Sequence, residues 1–183
     1  DFCVYDVWRK MSFRNRCLVA GANKVEVLTV PVQGGREQKA IYKDIRIDER
    51  EDWRRRHWRT LFSAYGKAPF FDHYGADLEA LFRVRCTHLV DWNLLVLEWL
   101  SARLKTPMPN SLGPGLDPGE SPDLELADCI KPSNYTEPVP GIQTPSYPQV
   151  FQERHGFLPN LSVLDMLLCL GPDAGRSLRE AAA

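Results

Sequence analysis

The stretch SFRNRCLVAGANKVEVLTVPV, residues 12–32, decides the fold of the N-terminal half of the chain. Residues 13–19 and 25–30 read as two strands, the second rich in β-branched residues, and Gly21-Ala22-Asn23 between them supplies a turn. This pattern predicts a β-hairpin. Weaker patterns predict two more short strands, at residues 1–8 and 41–47.

Helical periodicity follows in the middle of the chain. Asp48, with Glu51 three residues later, resembles a capping box, so we expect a helix to begin there. One face of this helix carries apolar and aromatic residues at four-residue spacing, namely Trp53, His57, Leu61 and Tyr65. Apolar stripes predict two further helices, at residues 69–82 and 87–104.

The last third contains more irregular sequence. Residues 106–123 are rich in Pro and Gly, which predicts a mobile loop. A last helix is expected at residues 162–170, and the polar tail at 176–183 is expected to fray. The sequence therefore predicts one α/β domain over residues 1–175, with an α+β arrangement as the alternative. In it, three to four helices pack on a small mixed or antiparallel sheet from the N-terminal half.

Composition excludes several classes of protein. The 183 residues are 44% hydrophobic and 26% charged, and 23 Lys and Arg against 24 Asp and Glu give a net charge of -1. This balance gives no general attraction to nucleic acid, and no apolar segment approaches the roughly 18–20 residues that span a bilayer. The five scattered Cys, without a CxxC pair, favour a reducing compartment, so we expect a cytoplasmic protein. No cluster of residues requires a metal ion or a cofactor.

The first candidate site lies in the first predicted strand. Strand alternation places Ser12, Arg14 and Arg16 on one face and Phe13, Asn15 and Cys17 on the other. Two guanidiniums about 6–7 Å apart could grip a pyrophosphate or a carboxylate, and a solvated strand face is the equal alternative. A buried amide at Asn15 needs partners, which favours a site. Cys17 is either a thiol with a lowered pKa beside the cations or a small core residue.

The second candidate is His57, on the apolar face of the predicted helix. Such a residue is more often a satisfied core histidine, but its ordinary pKa of about 6.5 also suits a proton acceptor. Asp91 and Asn93 lie in an otherwise apolar helix. They are either core polar groups or the lining of a pocket, and the sequence leaves both interpretations open.

Residues 12–32 resemble the signature of the WbqC-like family, in which an aromatic-Arg-Asn-Arg segment precedes a strand ending in a Leu-Thr-Val-Pro-Val type motif. The resemblance continues in the same order at IRID (45–48), RHWRTL (56–61), AYGKAPFF (64–71) and LVDWNL (89–94). Residues 147–165 are similar to the version of the family common in Bacteroidetes-type bacteria. In this family a further strand and helix usually precede the Lys-x-Ser-aromatic motif, where this chain has about ten residues. If that segment is missing, part of the expected site is missing with it.

The resemblance implies a role in bacterial surface-polysaccharide or O-antigen synthesis, through transfer of an amino-acid or acyl group to a nucleotide-linked amino sugar. It implies a small-molecule substrate, no cofactor and no nucleic-acid partner, and it leaves the oligomeric state open. The matching positions become candidate site residues: Lys10, Ser12, Arg14, Asn15, Arg16, His57, Trp58, Asp91, Asn93 and, more weakly, His155.

Two hypotheses follow for the action of these residues. In a transferase, Arg14 and Arg16 would hold a phosphate or carboxylate, His57 would take a proton from the acceptor, and Asn15 would orient the substrate or stabilise an oxyanion. The alternative is a non-catalytic binding or assembly module of a glycan-synthesis complex. A closed cleft that gathers Arg14, Asn15 and His57 would favour the enzyme, and a flat exposed patch would favour the module.

Overall fold

The fold consists of a short hairpin followed by a succession of helices. The computed structural model describes residues 4–9, 12–34, 40–107, 131–137 and 143–181. Within these ranges the elements are, in chain order, β1 (Arg16–Ala20), β2 (Val25–Thr29), a 3-10 turn (Tyr42–Asp44), α1 (Trp53–Tyr65), α2 (Phe71–Arg83), α3 (Leu89–Leu104), α4 (Gln152–His155), α5 (Val163–Leu170), a second 3-10 turn (Gly171–Asp173) and α6 (Ala174–Ala181). No helix of the described residues has the length and apolar character needed to cross a bilayer.

The predicted hairpin is confirmed. Strands β1 and β2 pair antiparallel, with Arg16 opposite Thr29, and form a two-stranded sheet. At the turn, the amide of Gly21 donates to the Lys24 carbonyl at 2.9 Å. A methyl group on Gly21 would lie 2.6 Å from that carbonyl oxygen, so the tight turn requires glycine.

The strand expected at residues 41–47 is wrong. The amides of Asp44 and Ile45 bond back to the carbonyls of Ile41 and Tyr42, which winds a 3-10 turn where an extended strand was expected. Ile41 keeps one isolated bridge, to Val7, and this bridge is all that the described part of residues 1–8 contributes to strand pairing. The apolar residues Tyr42, Ile45 and Ile47 are therefore buried in the core without being part of the two-stranded sheet.

Helix α1 begins later than the sequence suggested. Its N-cap is Asp52, whose side chain accepts a hydrogen bond from the amide of Arg55 at 3.3 Å. The carboxylate of Asp48 instead accepts hydrogen bonds from the amide and side chain of Arg50. The predicted inner face is confirmed, because all four of its residues are buried: Trp53, His57, Leu61 and Tyr65.

The C-terminal helices complete the core. The predicted cap of α5 is present, since the Ser162 hydroxyl accepts from the amide of Leu164 at 3.4 Å. Helix α5 packs against β1, α2 and α6 and buries residues 164–169 without a break. The tail that we expected to fray is helical as α6, which approaches α3 so closely that a methyl group on Gly175 would lie 1.9 Å from the Leu104 carbonyl oxygen. Most of the predicted loop at 106–123 lies outside the described residues.

A buried carboxylate ties these layers together. Asp165 in α5 has no exposed surface, and it accepts hydrogen bonds from the hydroxyls of Tyr65 at 2.8 Å and Tyr147 at 2.7 Å. The Tyr65 oxygen also accepts from the amide of Ala20 at the end of β1. Burial raises the pKa of Asp165, and the bonds from Tyr147 and Tyr65 oppose that shift. The cluster joins the hairpin, α1, α5 and the segment before α4.

We expect Tyr65→Phe to lower the free energy of unfolding by about 1–3 kcal/mol, because it removes one donor to a buried carboxylate and one acceptor for a buried amide. Tyr147→Phe removes the Asp165 bond and a 3.3 Å bond from the Gln149 side chain, which keeps its 2.9 Å bond to the Leu158 carbonyl. It leaves the Ala20 amide satisfied, so it should cost less. Tyr5→Phe, on an exposed ring, is the control and should stay within about 0.5 kcal/mol of wild type. Urea denaturation measures all three, and equal stability of Tyr65→Phe and Tyr5→Phe would contradict the role assigned to the cluster.

Candidate functional site

A cavity of about 500 Å³ lies between the segment that leads into β1 and the helices α1, α2 and α3. This volume is within the range of pockets that bind drug-sized ligands. One wall comes from Arg9 and residues 12–17 and carries three guanidinium side chains, Arg9, Arg14 and Arg16. The helices supply an apolar wall of Leu61, Leu78, Leu81, Phe82, Trp92, Val96, Leu97 and Trp99. Among the described residues, no Asp or Glu lines the cavity.

The polar wall is a turn that leads into a strand. The Ser12 hydroxyl donates to the Arg9 carbonyl at 2.9 Å and accepts from the amide of Arg14 at 3.4 Å, and β1 begins only at Arg16. The expected alternation of residues 12–15 between two strand faces is therefore wrong. Because the chain turns here, the consecutive residues Ser12 to Asn15 all line the cavity, and Arg16 and Cys17 at the start of β1 line it as well.

Arg14 is held by groups of the protein itself. Its guanidinium donates to the Asp6 carboxylate at 2.5 Å and to the Val7 carbonyl at 2.9 Å. It also lies over the ring of Tyr42, 5.2 Å from the centroid, where the cation meets the π face. Its charge is largely compensated, so Arg14 shapes the cavity wall more than it attracts an anion.

Arg16 differs from Arg14 in its partners. Its Nε is completely buried and has no hydrogen-bond partner among the described residues. No described carboxylate forms an ion pair with it either. A buried N–H of a cation without an acceptor is costly, and a bound anion would supply that acceptor.

His57, from helix α1, lines the same cavity. One N–H of its imidazole donates to the carbonyl of Thr29, the residue opposite Arg16 in the hairpin. The ring is 6% exposed and meets Trp53 edge-on at 5.1 Å. Burial lowers the pKa of His57 to about 4, the Thr29 bond opposes this shift, and the nearby Arg56 charge adds to it. The imidazole is therefore neutral at pH 7, and its second nitrogen carries a lone pair.

Two amides fix the polar wall. The Asn15 side chain donates to the Val30 carbonyl at 2.9 Å, while the amide of Val30 donates to the Asn15 carbonyl at 2.8 Å, which extends the hairpin by one rung. The Asn93 side chain, from α3, donates to the Arg14 carbonyl at 2.6 Å and to the Tyr42 hydroxyl at 2.5 Å. Both amide nitrogens are thus bonded within the protein and position the residues around the cavity.

The cavity brings together six of the ten residues proposed from the sequence: Ser12, Arg14, Asn15, Arg16, His57 and Asn93. Three others do not line it. Trp58 stacks on Phe71 at 6.0 Å, exposed Asp91 pairs with His88 at 3.5 Å, and His155 bonds the hairpin turn at the Ala22 carbonyl. Lys10 lies outside the described residues.

Sequence reasoning missed the aromatic side chains that line the cavity, namely Tyr42, Phe82, Trp92 and Trp99. Each belongs to a segment whose periodicity explains it as core, so no local signal connected it with residues 12–16. The lowered pKa considered for Cys17 is wrong in direction, because burial raises the pKa of this thiol to about 12. Among the described residues, no cluster of His, Cys, Asp and Glu is arranged to hold a metal ion.

Comparison of the sequence with known proteins identifies a family and one relative. The sequence model of the WbqC-like protein family matches residues 1–141, more than half of the chain. The chain belongs to the WbqC-like family. It is also 29% identical, over 98% of its own length and 87% of the other chain, to the uncharacterized protein Rv1507c of Mycobacterium tuberculosis. No solved structure matches it. The Bacteroidetes-type affinity stays a prediction.

The family match contains nearly all of the site of this WbqC-like protein. Of the residues that line the cavity, all but Leu164 fall within residues 1–141. Asp165 and Tyr147 lie beyond the match and Tyr65 within it, so the buried carboxylate cluster joins the matched region to the C-terminal part of the fold.

The neutral state of His57 predicts a pH-dependent stability. Its pKa of about 4 in the folded protein lies below the unfolded value of about 6.5, so the unfolded chain binds the proton first. This contribution is fully present above pH 6.5 and is lost as the pH falls towards 4, on the order of 3 kcal/mol in all. His57→Gln should unfold with a shallower pH dependence across this window. His73→Gln, on an exposed part of α2, should keep the wild-type slope, and a wild-type slope in His57→Gln as well would contradict the assignment.

Because the buried Nε of Arg16 has no hydrogen-bond partner among the described residues, we expect replacement of this residue to cost little stability. Arg16→Met should leave the free energy of unfolding within about 1 kcal/mol of wild type or raise it, because an apolar chain replaces a cation without a partner. Arg54→Met is the matched contrast. Arg54 also has one buried nitrogen without a partner among the described residues, Nη2, but it contacts Glu49, the Val84 carbonyl and the ring of Trp53, so its loss should cost about 1–3 kcal/mol. Chemical denaturation decides the point, and an Arg16→Met variant as unstable as Arg54→Met would refute it.

Proposed function

We propose that this WbqC-like protein is a transferase that joins an amino-acid or acyl group to a nucleotide-linked amino sugar in the synthesis of a bacterial surface polysaccharide. The observation that carries the proposal is that a neutral imidazole, His57, lines the same cavity as Arg16, whose buried Nε has no hydrogen-bond partner among the described residues. A proton acceptor and a fixed positive charge in one cavity suit acyl transfer to an amine from an anionic substrate.

The reaction needs one proton acceptor. The amine nitrogen of the sugar attacks the carbonyl carbon of an activated acyl or aminoacyl donor, forming the C–N bond as the bond to the leaving group breaks. His57 takes the proton that the nitrogen loses and returns it to the leaving group. The products are the amide and the protonated leaving group, so the imidazole ends the cycle neutral.

The low pKa of His57 fits this cycle only when a substrate is bound. With a pKa of about 4, the imidazole of the unliganded protein is a weak base. An anionic group held by Arg16 would stabilise the imidazolium and raise that pKa, because an opposite charge nearby favours the charged form. Ligand binding at Arg16 would thereby increase the base strength of His57 within the same cavity.

The roles of the two amides follow from their bonds. Asn15 was expected to stabilise an oxyanion, but its side-chain nitrogen donates to Val30, so we assign it to positioning the hairpin. Asn93 positions Arg14 and Tyr42 in the same way. The non-catalytic module would be favoured by a flat exposed patch, and the arrangement of Arg14, Asn15 and His57 around a cavity supports the enzyme instead.

The test is a mass-spectrometric assay of the purified chain with nucleotide-linked amino sugars and either acyl phosphates or acyl thioesters. We expect a product heavier than the sugar by one acyl group minus one hydrogen. His57→Gln should lower kcat by about 10²–10⁴-fold, the usual contribution of general base catalysis, while the fold stays intact.

Arg55→Gln is the matched control, because Arg55 lies exposed on the same helix outside the cavity and should leave kcat unchanged. Binding of a nucleotide-linked sugar without product from any donor would point to the non-catalytic module. Full activity of a folded His57→Gln variant would remove the imidazole from the mechanism.

A further inference from the structure

The cavity has one wall that carries arginine side chains and one wall that is mostly apolar. This difference indicates which chemical group it can bind. We infer that it binds a large apolar acyl or arylacyl group, with an oxyanion next to the acyl carbon held by Arg16. The statement that this group is the one transferred rests on the proposed function, whereas its binding does not. Such a group is unlike a formyl, acetyl or glycyl group, which would leave most of the apolar wall without contact.

The apolar wall determines the length of the group. Leucine, valine, phenylalanine and tryptophan side chains from three helices line one side of a cavity of about 500 Å³. Each methylene that leaves water for such a surface strengthens binding by about fourfold. Affinity should therefore rise steeply with chain length until the cavity is filled.

The polar end determines the charge of the ligand. Arg16 presents a buried Nε without an acceptor among the described residues, and the Thr29 carbonyl opposite it is already bonded to His57. A carboxylate, or the phosphoryl group of an acyl phosphate, offers the acceptor oxygen that a guanidinium binds best. Either oxyanion would then lie in the cavity that His57 also lines.

The same wall argues against a sugar or a nucleotide as the buried group. Both carry many hydroxyls and ring nitrogens that need partners once they leave water. On the helical side of the cavity, the polar groups of the described lining residues are few: His57, Asn93 and the indole N–H groups of Trp92 and Trp99. The Asn93 amide nitrogen is already bonded to Arg14 and Tyr42. The nucleotide-linked sugar would therefore bind at the polar edge, outside the apolar part.

Calorimetric titration of the full chain tests the inference with matched probes. Octanoate combines chain and charge, octanamide has the same shape without charge, acetate has the charge without the chain, and inorganic phosphate is an oxyanion alone. We expect octanoate to bind at least tenfold more tightly than each of the other three. Equal binding of octanoate and octanamide would overturn the oxyanion contact, and binding of phosphate or acetate with no gain for octanoate would overturn the apolar group.

Variants assign the contacts to residues. Arg16→Gln should weaken octanoate by about tenfold to a hundredfold, the usual loss for a hydrogen bond to a charged group, and leave octanamide unchanged. Arg55→Gln should change neither. Val96→Phe, which fills part of the apolar wall, should shift the best chain from octanoate to a shorter acid such as butanoate, provided that its circular dichroism spectrum matches wild type.

These outcomes are separable from failure of the proposed function. Octanoate binding that depends on Arg16, without acyl transfer to any sugar, would uphold the ligand class and refute the transferase. Acyl transfer with acetyl phosphate at the same kcat/KM as with octanoyl phosphate would uphold the transferase and refute the ligand class. Loss of octanoate affinity in Arg55→Gln equal to that in Arg16→Gln would refute the specific anchor.

Discussion

The organisation of the site depends on the hydrogen bond from the His57 imidazole to the carbonyl of Thr29, because it fixes the first long helix against the end of the hairpin. A carbonyl buried at this junction needs a donor, and an imidazole can provide one while keeping a lone pair for another partner. The surrounding aromatic rings keep water away, which holds the ring neutral. The same hydrogen bond thus positions α1 against the hairpin and orients the imidazole that can accept a proton.

The two asparagines show how polar groups inside an apolar protein define a cavity. Asn15 adds a rung to the hairpin, and Asn93 crosses from α3 to the backbone of Arg14. Each satisfies a backbone carbonyl that the turn before β1 leaves outside regular pairing. That turn can therefore keep its irregular path, and its consecutive residues Ser12 to Asn15 can all line the cavity. A regular strand would have turned half of them away.

The local sequence pattern predicted helices and strands correctly where it was compatible with a single type of secondary structure. Four-residue spacing identified the inner face of α1, and the β-branched segment at residues 25–30 identified β2. The prediction was wrong where two structures are compatible with the same pattern. A 3-10 turn buries Tyr42 as effectively as the expected strand would have done. Asp52, and not the expected Asp48, caps helix α1, although either residue type suits that position. For the site, six predicted residues line one cavity. The aromatic residues among its other walls could not be predicted, because only tertiary packing brings them near residues 12–16.

The contrast between Arg14 and Arg16 argues that the cavity exists for a ligand. Both lie in one short segment and both line the cavity, yet Arg14 has a carboxylate, a carbonyl and an aromatic ring, while the Nε of Arg16 has no partner among the described residues. Stability alone would favour an apolar side chain at position 16, because a buried N–H group of a cation without an acceptor opposes folding. Local choices that oppose stability are expected where a protein binds or reacts. The arginine that the fold leaves uncompensated is thus the one whose missing partner a substrate can supply.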